Sequence, residues 1–177
     1  VPAEARGRRR RPLMGARTGG ELLVASLVAQ GATHAFGVPG ESFLPVLDAF
    51  HDVRDRIRFV ACRQEGGAAF MAEAAGKLTG RPGLAFVTRG PGATNAAIGV
   101  HVAQQDSTPM ILFVGQVGSD CTDREAFQEI DYRRMFGGIA KWAAQIDRVD
   151  RVPEYVAQAY RAEIADLAAA GRNLDPL

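Results

Sequence analysis

Apolar residues along this chain come in two alternating kinds of segment. Short runs rich in β-branched and aromatic residues, at 34–38, 57–61, 84–88, 109–114 and 139–146, read as strands. Between them lie stretches with apolar residues at helical spacing: 21–30, 43–51, a helix opened by Glu65 within 62–80, 93–104 and 152–170, with a short helix near 132–136. The caps agree with this division. Thr18 with Glu21 three residues later makes a capping box, Gly31 closes the first helix, and Pro39 and Gly40 break the first strand. Strand and helix alternate throughout. The predicted fold is therefore a doubly wound α/β domain, with a mainly parallel sheet of about five strands and helices on both faces.

In such a sheet, ligands gather at the loops that follow the carboxyl ends of the strands. Here those loops are GVPGE (37–41), RQEGG (63–67), TRGPGATN (88–95) and GQVGSDCTDREAFQE (115–129), all rich in glycine or polar residues. The last is longer than a connection needs. Glu65 stands out among them. It lies where the second strand ends and a helix begins, and that helix carries no other charge than Glu73 and Lys77, spaced i, i+4. So apolar a helix is expected to be buried on nearly every side. Glycines 66 and 67 each cost about 1 kcal/mol in a helix relative to alanine, which suggests a close approach to the backbone there. Glu65 can still be read as an acid favoured by the helix dipole.

Composition narrows the class. The 177 residues are 47% hydrophobic and 23% charged, enough for one domain with a sizeable core. No apolar run reaches the roughly 18 residues of a membrane helix, so a soluble, cytoplasmic protein is expected. Net charge is +1, yet five arginines fall within the first eleven residues. Residues 1–13 are expected to form a solvated, disordered tail rather than a nucleic-acid or membrane tether, with the ordered domain over 14–177. Cys62 and Cys121 lack metal or disulfide spacing and read as free thiols, and His34, His51 and His101 show no metal-like pattern. GPGATN, with Thr94 and Asn95 as side-chain hydrogen-bonding groups, lacks the lysine of a P-loop and is not GxGxxG. Alone it reads as a tight turn before a helix.

Together, FGVPGE, RQEGGAAFMAEAAGKLTG, GPGATNAAIG, QQDSTPMILFVGQV and AFQEIDYRRMFGGIAKWA occur in an order that resembles the N-terminal, pyrimidine-binding domain of thiamine diphosphate enzymes. The match spans 18–170 and is most similar to the acetolactate synthase branch. The resemblance implies that Glu65 hydrogen-bonds the N1′ nitrogen of the aminopyrimidine and promotes the tautomer that takes the thiazolium proton. Such a carboxyl must share a proton near neutral pH. Burial works for that and a helix N-terminus against it, and burial is expected to prevail.

By the same resemblance, Pro91 and Asn95 line the pyrimidine pocket, Gly37 and Val38 lie near the cofactor, and Gln128 reaches the active centre from the long loop. Many acetolactate synthases carry an aromatic residue at the place of Val38, so its ring contacts here would be purely apolar. The implied reaction is decarboxylation of a 2-keto acid, pyruvate, with transfer of the two-carbon unit to a second keto acid. Other branches, a 2-keto acid decarboxylase or an acetyltransferase, stay open, as does a non-catalytic module that kept the fold.

The family holds the diphosphate through Mg²⁺ with a GDG motif in a separate domain, and acetolactate synthases carry FAD in a middle domain; the present sequence contains no GDG. No metal ligand is therefore expected in this chain. Family members also continue after the last helix into a strand resembling GPVxLxxP that inserts in the sheet, whereas here the sequence reads GRNLDPL. The expectation is a gap in the sheet and a chain that works as a homodimer or with a companion diphosphate-binding domain. Alone it is expected to be inactive.

Overall fold

The computed structural model of the chain describes residues 17–169. The arginine tail at 1–13 and the end of the last predicted helix at 170–171 lie outside the described residues. Helices α1 (Gly19–Ala29), α2 (Leu44–Asp52), α3 (Glu65–Thr79), α4 (Pro91–Gln105), α5 (Tyr132–Phe136) and α6 (Val152–Ala169) surround strands β1 (His34–Gly37), β2 (Arg58–Ala61), β3 (Gly83–Val87) and β4 (Met110–Val114). Among the described residues the sheet has four strands in the order β2-β1-β3-β4, all parallel. The capping box forms as expected: the Thr18 N–H donates to Glu21 Oε2 at 2.8 Å, and the Glu21 N–H donates to Thr18 Oγ1 at 3.2 Å.

Side chains of a strand alternate between the two faces of its sheet, and the two cores follow that rule. Leu84, Phe86 and Ile111 enter a core with α1, α2 and α6; Ala85, Val87 and Met110 enter one with α3 and α4. Phe86 centres the first, stacked on Phe113 at 4.5 Å and edge-on to Phe50 at 5.2 Å. Where α3 and α4 meet, the second is built of alanines: Ala69, Ala72, Ala93, Ala96 and Ala103. A side chain on Gly99 would come within 2.5 Å of Ala69 Cβ, and glycine here lets α3 and α4 pack backbone to backbone.

Two expectations fail. Helix α3 is not buried on nearly every side. Its small residues Gly66, Ala68, Ala69, Ala72 and Gly76 face inward with Glu73, while Phe70, Met71 and Leu78 are exposed. Only residues without bulk fit between α4 and the sheet, so the large apolar ones are turned outward. Residues 139–146 form no strand. A strand needs a neighbouring backbone to hydrogen-bond, and this stretch instead lines, with β4 and α6, a cleft of about 600 Å³. Its side chains are used instead as packing: Ile139, Ala140 and Ala143 join the α3–α4 core and Trp142 the other. Among the described residues β4 pairs with β3 alone.

Candidate functional site

The carboxyl ends of the four parallel strands bring all four candidate loops to one edge. Ser42, in a 3₁₀ turn after β1 (Glu41–Phe43), ties three of them together. Its Oγ lies 2.9 Å from Thr88 Oγ1 and accepts from the Arg89 N–H at 3.3 Å, and a side chain on Gly115 would run into it. The fourth loop joins through the α3 N-terminus, where Gln64 caps the helix by accepting from the Gly67 N–H at 2.8 Å.

Glu65 opens α3 and is half-buried. Asn95, one turn into α4, donates from Nδ2 to Glu65 Oε2 at 3.0 Å, so two helix N-termini meet through this pair. The sequence marked both residues, and the fold joins them across 30 positions. Gly92 is buried beside this pair: a side chain there would meet Thr88 Cγ2 at 2.8 Å and lie 3.6 Å from Glu65 Oε1. The glycines after Glu65 divide in their reasons. Gly66 is packed against Gln64 and the Asn95 carbonyl, whereas Gly67 is exposed with open space around it. The close approach expected at Gly66 is therefore made by α4 itself.

Pro91 takes the first position of α4 and is exposed beside Gly92. Gly90 before it has φ 62°, a left-handed conformation that suits glycine, and its carbonyl accepts from Thr94 Oγ1 at 3.1 Å. Gly37 ends β1, where any side chain would collide with the Phe86 carbonyl, and half-buried Val38 follows it at the same edge. Gly37 is thus glycine because adjacent strands crowd it. Gln128 arrives from the long loop: its Cβ and Cγ lie 2.7 and 3.2 Å from where a Gly90 side chain would begin.

Two residues at this edge were missed by sequence reading. Tyr132 Oη accepts from the Gly90 N–H at 2.7 Å, and Arg89 Nε donates to the Phe127 carbonyl at 3.0 Å. Burial pushes the Tyr132 phenol up from its ordinary pKa, so it is protonated at neutral pH. The signals available were faint: a cation directly before a glycine turn, and a tyrosine opening a helix after a long loop. Elsewhere the histidines are exposed and both cysteines are free thiols. Among the described residues no group of three or more His, Cys, Asp or Glu is arranged to hold a metal ion. No described helix is long and apolar enough to cross a membrane.

Residues 17–135 match the family model described as thiamine pyrophosphate enzyme, N-terminal TPP binding domain. The chain is 40% identical over 152 residues to an acetolactate synthase of Bacillus subtilis (strain 168), covering 86% of this chain and 26% of that protein. It is 36% identical over 155 residues to the mitochondrial acetolactate synthase catalytic subunit of Saccharomyces cerevisiae, covering 88% of this chain and 22% of that one. Identity to the acetolactate synthase isozyme 3 large subunit of Escherichia coli (strain K12) is also 36%, over 88% of this chain and 26% of that protein. The chain thus spans about a quarter of the length of the curated relatives it matches. With a model matched over most of its described residues, and a parallel sheet that gathers the shared motifs at one edge, the chain belongs to the thiamine pyrophosphate enzymes, as their N-terminal TPP-binding domain.

Proposed function

We propose that the chain binds the aminopyrimidine of thiamine diphosphate where α3 and α4 meet, with Glu65 as the acid that shares a proton with a ring nitrogen. The observation that carries this reading is the Asn95-to-Glu65 hydrogen bond at 3.0 Å, which joins the N-terminal turns of two helices at the ligand edge of the sheet. Asn95 occupies Oε2 and fixes the plane of the carboxyl, which leaves Oε1 for a ring N–H. The donor set fits such a ring: one carboxyl oxygen free, one side-chain amide, and apolar surface from Pro91 and Val38. Gln128 supplies a second amide from the long loop. The residues of this edge thus bind and orient the pyrimidine, and Glu65 holds or moves one proton at Oε1.

When bound, thiamine diphosphate supplies a carbon acid able to stabilise the carbanion that 2-keto acid decarboxylation produces. The whole protein is read as acetolactate synthase-like: it decarboxylates pyruvate and transfers the two-carbon unit to a second keto acid. In this reading Mg²⁺ and the diphosphate, and FAD where present, are held outside this chain, and the site is completed by a second copy or a companion diphosphate-binding domain in the cytoplasm.

Calorimetric titration of thiamine diphosphate into the chain tests the binding step. Losing a hydrogen bond to a charged group costs about 1.5–3 kcal/mol, so Glu65→Gln is expected to weaken affinity by about 10- to 100-fold. Equal affinity for both proteins would reject Glu65 as the pyrimidine's partner.

A further inference from the structure

The long loop after β4 is fixed more firmly than a connection requires. Gln128 has φ 65°, and Asp123 and Glu125 lie at 61° and 53°, left-handed conformations that residues with side chains avoid. Such conformations persist where the surroundings over-determine them. The surroundings here are specific. Arg89 Nε holds the Phe127 carbonyl at 3.0 Å, while the Tyr132 hydroxyl accepts from Gly90 at 2.7 Å and lies 3.5 Å from the Gln128 carbonyl, to which it donates. Gly90, having no side chain, admits Gln128 against its backbone. Yet the side chain of Phe127 remains 77% exposed. A loop serving only to close the chain would bury its phenylalanine and relax its glutamine. This one clamps two backbone carbonyls, leaves the Phe127 side chain outward and sets the half-buried Gln128 against Gly90.

We propose that Tyr132 and Arg89 are positioning residues, which lock the Phe127–Gln128 backbone onto the Gly90 turn and so present the Gln128 amide to the ligand held by Glu65 and Asn95. The Gly90 turn carries the lock to the site: two residues on, Gly92 faces Glu65 Oε1, and one helical turn on is Asn95. A protonated phenol is needed, since a single hydroxyl accepts from one segment and donates to the other. The inference rests on reading that site as a cofactor pocket, and its test separates the two.

The test uses the ¹⁵N-labelled chain, wild type and Tyr132→Phe, which removes one oxygen and keeps the ring; Arg89→Gln serves as the second variant should the first fail to fold. Amide exchange at Gly90 and at 127–129 is expected to accelerate by about 5- to 10-fold in either variant, the loss of one hydrogen bond, with β3 amides unchanged. On adding thiamine diphosphate, the side-chain amide signals of Asn95 and Gln128 are both expected to shift in wild type. In the variant Asn95 still shifts and Gln128 does not. Unchanged exchange in both variants, or a Gln128 shift equal to wild type, overturns the positioning role. If Asn95 fails to respond in wild type, the pocket reading falls, and the exchange rates alone decide whether the lock exists.

Discussion

Glu129 shows how much of the site is held by single residues. Its carboxylate accepts from the Asp123 N–H at 2.7 Å and from the Ala126 N–H at 3.0 Å, which closes the turn that precedes Gln128. The Asp123 N–H, with that of Ala126, holds this carboxyl below its ordinary value of 4.5. A depressed carboxylate favours the folded turn above the unfolded pKa, and the contribution is lost as pH falls through the lower folded value. The Asp123 and Ala126 amide resonances are therefore expected to titrate with a midpoint below 4.5, and Glu129→Gln is expected to abolish that titration. A midpoint at or above 4.5 would contradict the hydrogen-bonded turn. At this scale the sequence reveals unevenly. Glu65 was legible because a strand ended before it and a helix began with it. Tyr132 and Arg89 were not, because their partners are backbone groups 42 and 38 positions away, and a main-chain donor or acceptor looks alike in every residue.

Elements were legible where their own residues decide them and misleading where a neighbour does. Helix α1 forms with the expected capping box, and β3 and β4 lie where β-rich runs placed them. Residues 139–146 carry a strand's composition, but without an adjacent backbone the pattern is spent on packing into two cores. In α3, apolar character suggested burial on most sides, yet the tight α3–α4 contact admits only glycine and alanine and turns Phe70 and Leu78 outward. Helix α6 shows the opposite cost, a polar atom trapped inside. Tyr160 is 4% exposed in the α1–α6 core, its hydroxyl finds no hydrogen-bond partner among the described residues, and burial pushes its pKa up to about 12. A raised folded value means stability that is intact below the unfolded pKa of about 10 and declines as pH rises towards the folded one. Tyr160→Phe is expected to stabilise the chain at neutral pH by about 1 kcal/mol, raising Tm by about 2–4 °C, and to flatten the loss between about pH 10 and 12. A destabilised variant in thermal melts would show that the hydroxyl is in fact satisfied.

At the scale of the whole molecule, the parallel sheet places one set of loops at one edge, and that placement turns weak motifs into a site. GPGATN is an ordinary turn until α4 delivers Asn95 to Glu65. The same architecture leaves, among the described residues, a cleft of about 600 Å³ lined by β4, α6 and residues 139–149. The chain corresponds to about a quarter of each relative, and the proposed reading places the groups that hold the diphosphate outside it. The most direct measurement supplies them: the chain is combined with the part of the Bacillus subtilis relative that lies outside the matched residues, thiamine diphosphate and Mg²⁺, and exchange of the thiazolium proton is followed. Exchange well above the solution rate, falling by about 10² or more in Glu65→Gln, is the expected result for a positioned acid. Exchange at the solution rate in both proteins, although the domains associate, would contradict the assignment of Glu65 as the activating acid.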